Sequence, residues 1–204
     1  MILPALILYL IFYFYPLFRL LPESIYENGN FTLLYFRRIF TEPLYLDTLL
    51  RTIWICIAST VINLLLGYPV AYTLLKGSSK WANIILAVIL LSLWTSLLVR
   101  TYSWMVILQR TGVINQILIK LGIIQDSIQI MYTPAAVLIG MVHILLPYMI
   151  MPIYSVLRGI DPNLPLAASS LGASKAKVFL KVTLPLSIPG IAAGILLVFI
   201  QPTG

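Results

Sequence analysis

Long apolar stretches recur along the chain, separated by shorter segments that carry most of its charge. Five of these stretches are candidate membrane spans, at about residues 2–21, 51–75, 82–108, 132–157 and 186–201. A helix needs roughly 20 mainly apolar residues to cross the hydrocarbon core of a bilayer, so the last span is expected to be short. The pattern predicts an all-α protein, a polytopic bundle of transmembrane helices.

The breaks between the predicted spans, at about 22–50, 76–81, 109–131 and 158–185, differ in charge. In the second and fourth breaks Asp161 is the only acid among six basic residues, Lys76, Lys80, Arg158, Lys175, Lys177 and Lys181. The first and third breaks hold the remaining acids, Glu23, Glu27, Glu42, Asp47 and Asp126. Because Lys and Arg bias short loops to the cytoplasm, we expect the second and fourth breaks, and with them the N-terminus, on the inner side.

Composition agrees with a lipid environment. Of 204 residues, 61% are hydrophobic and 9% charged, whereas about 25% of an ordinary soluble domain is charged. The net charge of +7 is spread over loops and span ends, with no soluble domain to present it to a nucleic acid. We therefore interpret the basic residues as topology determinants and contacts to the lipid bilayer. The single cysteine, Cys56, forms no internal disulfide.

The fourth break has the pattern of two short helices. Asp161 is placed to cap the first helix, and Gly172 falls where a helix ends in a left-handed residue. Ser174 is placed to cap a second helix, "KAKVFLKVTL", which Pro185 is expected to terminate. Two interpretations remain open from this pattern alone: a docking surface for a partner, or an amphipathic helix resting on lipid headgroups.

The stretch "LAASSLGASKAKVFLKVTLPLSIPGI", which begins at Leu166, resembles the cytoplasmic signature loop of binding-protein-dependent (type I) ABC transporter permeases. Their pattern is Glu-Ala-Ala, three residues, Gly, and further on Leu-Pro. The matching positions are Ala167, Ala168, Gly172, Leu184, Pro185, Pro189 and Gly190, with Leu166 in place of the glutamate. The resemblance implies a loop, at about 158–185, that docks into a cleft on a cytoplasmic ATPase subunit. It assigns this coupling role to Ala167, Ala168, Gly172, Ala173, Lys177, Leu184 and Pro185.

Two further stretches, Leu90 to Ile124 and Tyr132 to Leu157, are similar to the spermidine/putrescine type of permease. We treat residues 1–204 as a single transmembrane permease domain in which about 51–200 form the family core. The resemblance implies a multi-pass subunit of the bacterial inner membrane for polyamines or a related organic ion. Its expected partners are a second permease subunit, cytoplasmic ATPase subunits that use ATP and Mg, and an extracytoplasmic solute-binding protein. Permeases of this type usually continue into a further span, so we expect a chain truncated before its last helix.

The sequence contains no motif for nucleotide binding, metal binding or catalysis. It has no Gly-rich phosphate loop followed by Lys and Ser or Thr, and one histidine with one cysteine cannot assemble a metal site. Ser, His and acid are not arranged for nucleophilic catalysis, so we expect no enzyme and no cofactor bound by this chain. The alternative function is a self-sufficient secondary transporter or channel, which internal repeats would favour. No clear repeat is present in the sequence.

Polar and aromatic residues within the predicted spans are candidates for a translocation path, because lipid-facing positions hold them at a cost. These candidates are Asn63, Ser92, Thr95, Ser96, Arg100, Tyr102, Trp104 and His143. Any of them could instead bond a neighbouring helix or belong to an interfacial aromatic belt. The five predicted spans contain no Asp or Glu. A polyamine would therefore be recognised through aromatic faces, carbonyls or the partner permease, with selectivity mainly in the separate binding protein.

Overall fold

The computed structural model describes residues 2–27, 30–77 and 79–203, and its contacts divide the chain into two units, 1–51 and 52–204. The first unit begins with a long apolar helix in three parts: α1 (Ile2–Tyr9), a π-helical turn (Leu10–Phe14) and α2 (Tyr15–Glu23). A short antiparallel hairpin follows, β1 (Tyr26–Glu27) with β2 (Asn30–Phe31). Then come α3 (Leu34–Thr41) and the start of α4 (Pro43–Lys76), the helix inside which the division falls.

The regular elements that the structure describes in the second unit are all helices. After α4, the helices are α5 (Ser79–Trp94), α6 (Leu97–Leu108), α7 (Val113–Lys120), α8 (Pro134–Gly159), α9 (Asn163–Ser170), α10 (Lys175–Val178) and α11 (Leu184–Ile200). A π-helical turn, Phe179–Thr183, joins α10 to α11, and a 3₁₀ turn, Gln201–Thr203, follows α11.

Among the described residues, four helices are long and apolar enough to span a bilayer: Leu6–Glu23, Pro43–Lys76, Pro134–Gly159 and Lys175–Ile200. A fifth span is present if the bent pair formed by Lys80–Trp94 and Leu97–Lys120 counts as one. The predicted helical bundle with up to five spans is confirmed. The second span begins at Pro43 rather than near residue 51, because the polar residues at the start of α4 still form helix.

The third predicted span, 82–108, is wrong as a single straight helix. The chain breaks after Trp94, and the two arms of the bent pair differ in direction by 99°. Ser96, in the break, has an extended backbone with φ −54° and ψ 136°. No proline or glycine marks this break, and hydropathy reports that a segment is apolar without reporting its direction.

The fifth span is not short, and the prediction that Pro185 ends the second loop helix is wrong. Helix runs from Lys175 to Ile200 through the π-helical turn. Within that turn the N–H of Leu184 bonds the carbonyl of Phe179, five residues back. Proline lacks an N–H, and the π-helical turn directly before Pro185 is the local adjustment through which the helix continues past it.

Close packing of α8 against α11 forms the centre of the second unit, where Gly190 and Gly194 lie four residues apart on α11. A Cβ added at Gly190 would lie 2.9 Å from the carbonyl oxygen of Pro152, and one at Gly194 would lie 2.7 Å from the Sδ of Met149. Met149 also lies against Gly67 of α4, where a Cβ would approach its Cγ to 2.9 Å. At Gly190, where the nearest atoms are backbone, only glycine allows the two helices to approach this closely.

These contacts also fix the helix directions. Residue numbers rise along α11 as they fall along α8, so α11 is antiparallel to α8. Tyr68 of α4 bonds Ser187, and Tyr72 contacts Phe179, so α11 is antiparallel to α4 as well. The C-terminal ends of α4 and α8 and the start of the helix at Lys175 therefore lie at one end of this unit. That end carries Lys76, Arg158, Lys175, Lys177 and Lys181.

Candidate functional site

The predicted helix–turn–helix of the fourth break is confirmed in its local detail. The Oδ1 of Asp161 accepts a hydrogen bond from the N–H of Asn163 at 2.9 Å, at the start of α9. The Oγ of Ser174 accepts one from the N–H of Lys177 at 3.4 Å, at the start of α10. Both helix starts are thus capped by the side chains that the sequence places there.

The turn between the two helices depends on Gly172. Its φ is 84°, in the left-handed region that glycine adopts without a steric penalty. The N–H of Gly172 bonds the carbonyl of Ser169 at 3.0 Å, and the N–H of Ala173 bonds that of Ala168 at 3.2 Å. This is the Schellman arrangement of a helix C-terminus. A Cβ added at Gly172 would meet nothing within 4 Å, so the position is open to a partner.

The predicted coupling residues lie on the accessible side of this loop to different degrees. Ala167, Gly172, Lys177 and Pro185 are exposed, whereas Ala168, Ala173 and Leu184 are half-buried. Leu166, which stands where the family pattern has glutamate, is 62% exposed. The structure therefore brings these residues together on one loop, while their contacts to a partner stay a prediction.

Sequence reasoning missed the side chains that fasten this loop to the bundle. The ring of Phe179 packs edge-on against Tyr72, with centroids 5.2 Å apart, and against Tyr68 at 5.9 Å. The Tyr68 hydroxyl lies 3.0 Å from the Oγ of Ser187, a second link between α4 and α11. The Nζ of Lys76 lies 4.5 Å from the centre of the Tyr72 ring. The spacing of Tyr68 and Tyr72, one helical turn apart, was the available signal.

Two of the predicted pathway residues meet in space. The Nε1 of Trp104, on α6, donates a hydrogen bond to the Nδ1 of His143, on α8, at 3.2 Å, and their rings are 5.6 Å apart. Arg100 lies one turn before Trp104 on α6. Its Nε and Nη1 are enclosed and have no hydrogen-bond partner among the residues that the structure describes.

The other candidates lie apart from this group. Thr95 and Ser96 occupy the break between α5 and α6, where the Thr95 hydroxyl bonds the carbonyl of Leu91. Tyr102 is 68% exposed. Asn63 is fully buried on α4, where its Nδ2 donates to the carbonyl of Ser59 at 2.8 Å and its Oδ1 has no partner among the described side chains and backbone.

An open, chiefly apolar cleft of about 550 Å³ lies beside Trp104. Its walls come from α6, α8 and the segments that precede α8 and follow α11, including Thr101, Gly140 and Gln201. Tyr132, which has a φ of 65°, also lines it. This volume is within the range of small-molecule sites, and Trp104 is among the residues that line the cleft.

Comparison with known proteins shows which protein family the chain is similar to. Residues 1–203 match the family model described as "Binding-protein-dependent transport system inner membrane component". The chain is 42% identical over 163 residues to the spermidine/putrescine transport system permease protein PotB of Escherichia coli (strain K12), an alignment that covers 80% of this chain and 59% of that protein.

Two further relatives are also similar to most of this chain. PotB of Haemophilus influenzae (strain ATCC 51907 / DSM 11121 / KW20 / Rd) is 40% identical over 163 residues, covering 80% of this chain and 57% of that one. The inner membrane ABC transporter permease protein YdcU of Escherichia coli (strain K12) is 31% identical over 209 residues, covering 93% and 66%. The chain spans less than two thirds of the length of the PotB proteins that it matches.

Proposed function

We propose a transport role for this chain, which belongs to the family of binding-protein-dependent transport system inner membrane components. In this proposal it is a membrane-spanning permease subunit of an ATP-driven ABC importer and forms part of the solute path. It works with a second permease subunit, cytoplasmic ATPase subunits and an extracytoplasmic solute-binding protein. ATP and Mg are used by the ATPase, and the chain itself supplies helices and contacts rather than catalytic groups.

The loop at 158–185 is, in this proposal, the surface that docks on the ATPase. The observation that carries it is the combination of the open turn at Gly172 with the anchor at Phe179. The turn projects where a partner can reach it, while the ring of Phe179 packs on both Tyr68 and Tyr72 of α4. A push on the loop is therefore transmitted to α4 and α11 through packed side chains. A helix that only rests on lipid headgroups would not require the packing of Phe179 on α4.

We propose a polyamine, spermidine or putrescine, as the solute. The support is the 40–42% identity to PotB proteins, whose names state that substrate. Trp104, at the cleft wall, offers an aromatic face of the kind that attracts organic cations. The chain has no acid between Asp47 and Asp126, so carboxylates that attract the cation come from another subunit. Selectivity then rests mainly on the solute-binding protein.

The orientation that we propose has the N-terminus and the loop at 158–185 in the cytoplasm. Its support is the shared position of five basic side chains at one end of the second unit, since Lys and Arg favour the inner side. Single cysteines in a Cys56→Ala background test it with an impermeant thiol reagent in intact cells. Glu42→Cys and Asp126→Cys should label from outside, whereas Ser174→Cys should not. Ser78, which serves the same test for the second break, lies outside the described residues. Labelling of Ser174→Cys from outside would contradict the orientation and the docking.

The function itself is tested in cells that carry the full-length chain with its partner proteins. We expect the chain to co-purify from detergent with an ATPase and to support ATP-dependent uptake of labelled spermidine or putrescine. A chain that imports solute after purification without any ATPase would favour a self-sufficient transporter. A chain that co-purifies with the ATPase but takes up neither polyamine would leave the subunit role standing and overturn the solute.

A further inference from the structure

Helix α3, which lies between the first two spans, has two faces of opposite character. Residues three or four apart share a face of a helix. The first face is apolar and mostly aromatic, with Tyr35, Phe36, Ile39 and Phe40. The second is mostly polar, with Leu34, Arg37, Arg38 and Thr41. Aromatic residues on one side and basic residues on the other are typical of a helix that lies in the surface of a membrane.

The aromatic face of α3 is largely uncovered by the described residues of the chain. Phe40 is 71% exposed, Phe36 45% and Tyr35 39%, whereas Ile39 is half-buried. Contiguous large apolar side chains that remain this exposed indicate a surface in contact with a membrane or another molecule rather than with water alone.

The chain on either side of α3 fixes the level at which the helix lies. The span Leu6–Glu23 ends before α3, and the span Pro43–Lys76 begins after Glu42 alone. Glu42 has an extended backbone, with φ −92° and ψ 118°, so the chain turns there and α3 does not continue the span. None of the apolar stretch of Leu6–Glu23 is buried inside the described chain, so lipid has access to this span. α3 is therefore placed where the spans leave the bilayer, in the headgroup region that aromatic residues favour.

The charges of α3 fit the same surroundings. Arg37 is exposed, and the Nε of Arg38 lies 3.8 Å from the Oε1 of Glu42 with both side chains about half exposed. An exposed ion pair of this length holds its partners weakly, so both guanidinium groups are available to other anions. Arg binds phosphate through two parallel N–H bonds. Lipid phosphates lie directly above the acyl boundary, so a bilayer alone satisfies both faces of α3.

We propose that α3 is an interfacial anchor and that the bilayer crossed by the neighbouring spans covers its aromatic face. Tyr35, Phe36 and Phe40 enter the boundary between headgroups and acyl chains, and Arg37 and Arg38 contact lipid phosphates. The anchor fixes the depth at which α4 enters the membrane. The inference requires a chain that spans the membrane, and it holds whichever solute or ATPase the chain serves.

The test places one label on each face of α3 in the full-length chain, reconstituted in liposomes with the membrane proteins that co-purify with it. In a Cys56→Ala background, Phe40→Cys and Arg37→Cys each carry a nitroxide. Collisions of the nitroxide with oxygen, which concentrates in lipid, are compared with its collisions with a water-soluble nickel complex. We expect the oxygen-to-nickel ratio at Phe40→Cys to exceed that at Arg37→Cys by about tenfold, because only the first label enters the acyl boundary.

A matched pair of changes tests the aromatic face itself. Phe36→Asn replaces a ring on that face with an amide and should raise the nickel collisions of the Phe40→Cys label several-fold. Thr41→Asn puts the same amide on the polar face and should change them little.

Three outcomes would overturn the inference. Equal collision ratios at Phe40→Cys and Arg37→Cys would show that the two faces share one environment. A Phe40→Cys label that neither reagent reaches would show that another protein surface covers the face. Equal effects of Phe36→Asn and Thr41→Asn would show that the aromatic face does not hold the helix in lipid. These collisions are measured without uptake, so a failure of the proposed transport role would leave the result unchanged.

Discussion

Two loops of the second unit end a helix in the same way and are held in different ways. At 158–185, α9 ends at Gly172 with a φ of 84°, and in the loop that contains α7, Gly122 has a φ of 70°. In both turns the residue after the glycine bonds a carbonyl five residues back, Ala173 to Ala168 and Ile123 to Leu118. A Cβ added at either glycine would meet nothing within 4 Å.

The difference lies in what closes each loop. Asn115, fully buried on α7, donates from its Nδ2 to the carbonyls of Gln109 and Ile128, and its Oδ1 accepts from the N–H of Ile128 at 2.9 Å. This one side chain ties the two ends of the α7 loop together. Among the described residues of the Gly172 loop, the side-chain hydrogen bonds span at most four residues, and the packing of Phe179 on α4 provides the distant attachment.

The comparison shows that the same turn is held in the structure in two different ways. The α7 loop closes on itself through Asn115. The Gly172 loop is attached to the spans on one side and open on the other, which is the arrangement that a mechanical coupling needs. Exposed apolar side chains do not distinguish the two loops, since Leu121 is 67% exposed in one and Leu166 is 62% exposed in the other. The two loops differ in how each is attached to the rest of the protein.

The largest effect on stability is expected at Asn115. Asn115→Ala removes three hydrogen bonds, at about 1 kcal/mol each, which should lower the free energy of unfolding by about 3 kcal/mol. Hydrogen exchange at the N–H of Ile128 should accelerate together with a lower melting temperature in detergent. Gln116→Ala is the matched control, because it loses one exposed bond to the carbonyl of Thr111 and should cost less than about 1 kcal/mol. Equal effects of the two changes would show that the α7 loop is not closed by Asn115.

A smaller effect on stability, with a larger effect on transport, is expected at Phe179. The ring is partly buried, so Phe179→Ala should cost about 2 kcal/mol, below the range for a fully buried ring. ATPase co-purification should persist while uptake falls several-fold, because the loop is still formed and has lost its link to Tyr68 and Tyr72. Ile188→Ala, which lies outside this loop on α11 and is 57% exposed, should leave uptake unchanged. If Phe179→Ala retains wild-type uptake, the mechanical link lies elsewhere.

Local features of the Gly172 loop were predictable from sequence because their causes are local. Capping by Asp161 and Ser174 and the left-handed turn at Gly172 each involve residues at most a few positions apart. The number of spans followed from hydropathy for the same reason. The bend after Trp94 and the continuous helix through Pro185 did not follow, because each depends on how neighbouring turns pack and bond.

Contacts between residues that are far apart in the sequence could not be predicted from the hydrophobic pattern. Trp104 and His143 were each candidates, but nothing in the sequence pairs residues that lie on different helices. The bonds of Asn115 to Ile128 run across an irregular loop with no periodicity to show them. The roles of Asn63, Tyr102 and the other pathway candidates stay predictions, as do the contacts of the loop residues with an ATPase.

The central claim, that the Gly172 loop docks on an ATPase and the α7 loop does not, is tested most directly by the same substitution in both turns. Gly172→Asp and Gly122→Asp each place one carboxylate in open space at a left-handed position, with a strain of roughly 1 kcal/mol in either case. Lys177→Ala is a milder change on the docking side.

Uptake and ATPase co-purification are measured for all three variants in the full transporter. We expect Gly172→Asp to abolish both while the chain still inserts, Lys177→Ala to reduce them modestly, and Gly122→Asp to retain both near the wild-type level. Normal uptake and normal ATPase binding by Gly172→Asp, or equal losses at Gly172 and Gly122, would contradict the coupling role of this loop.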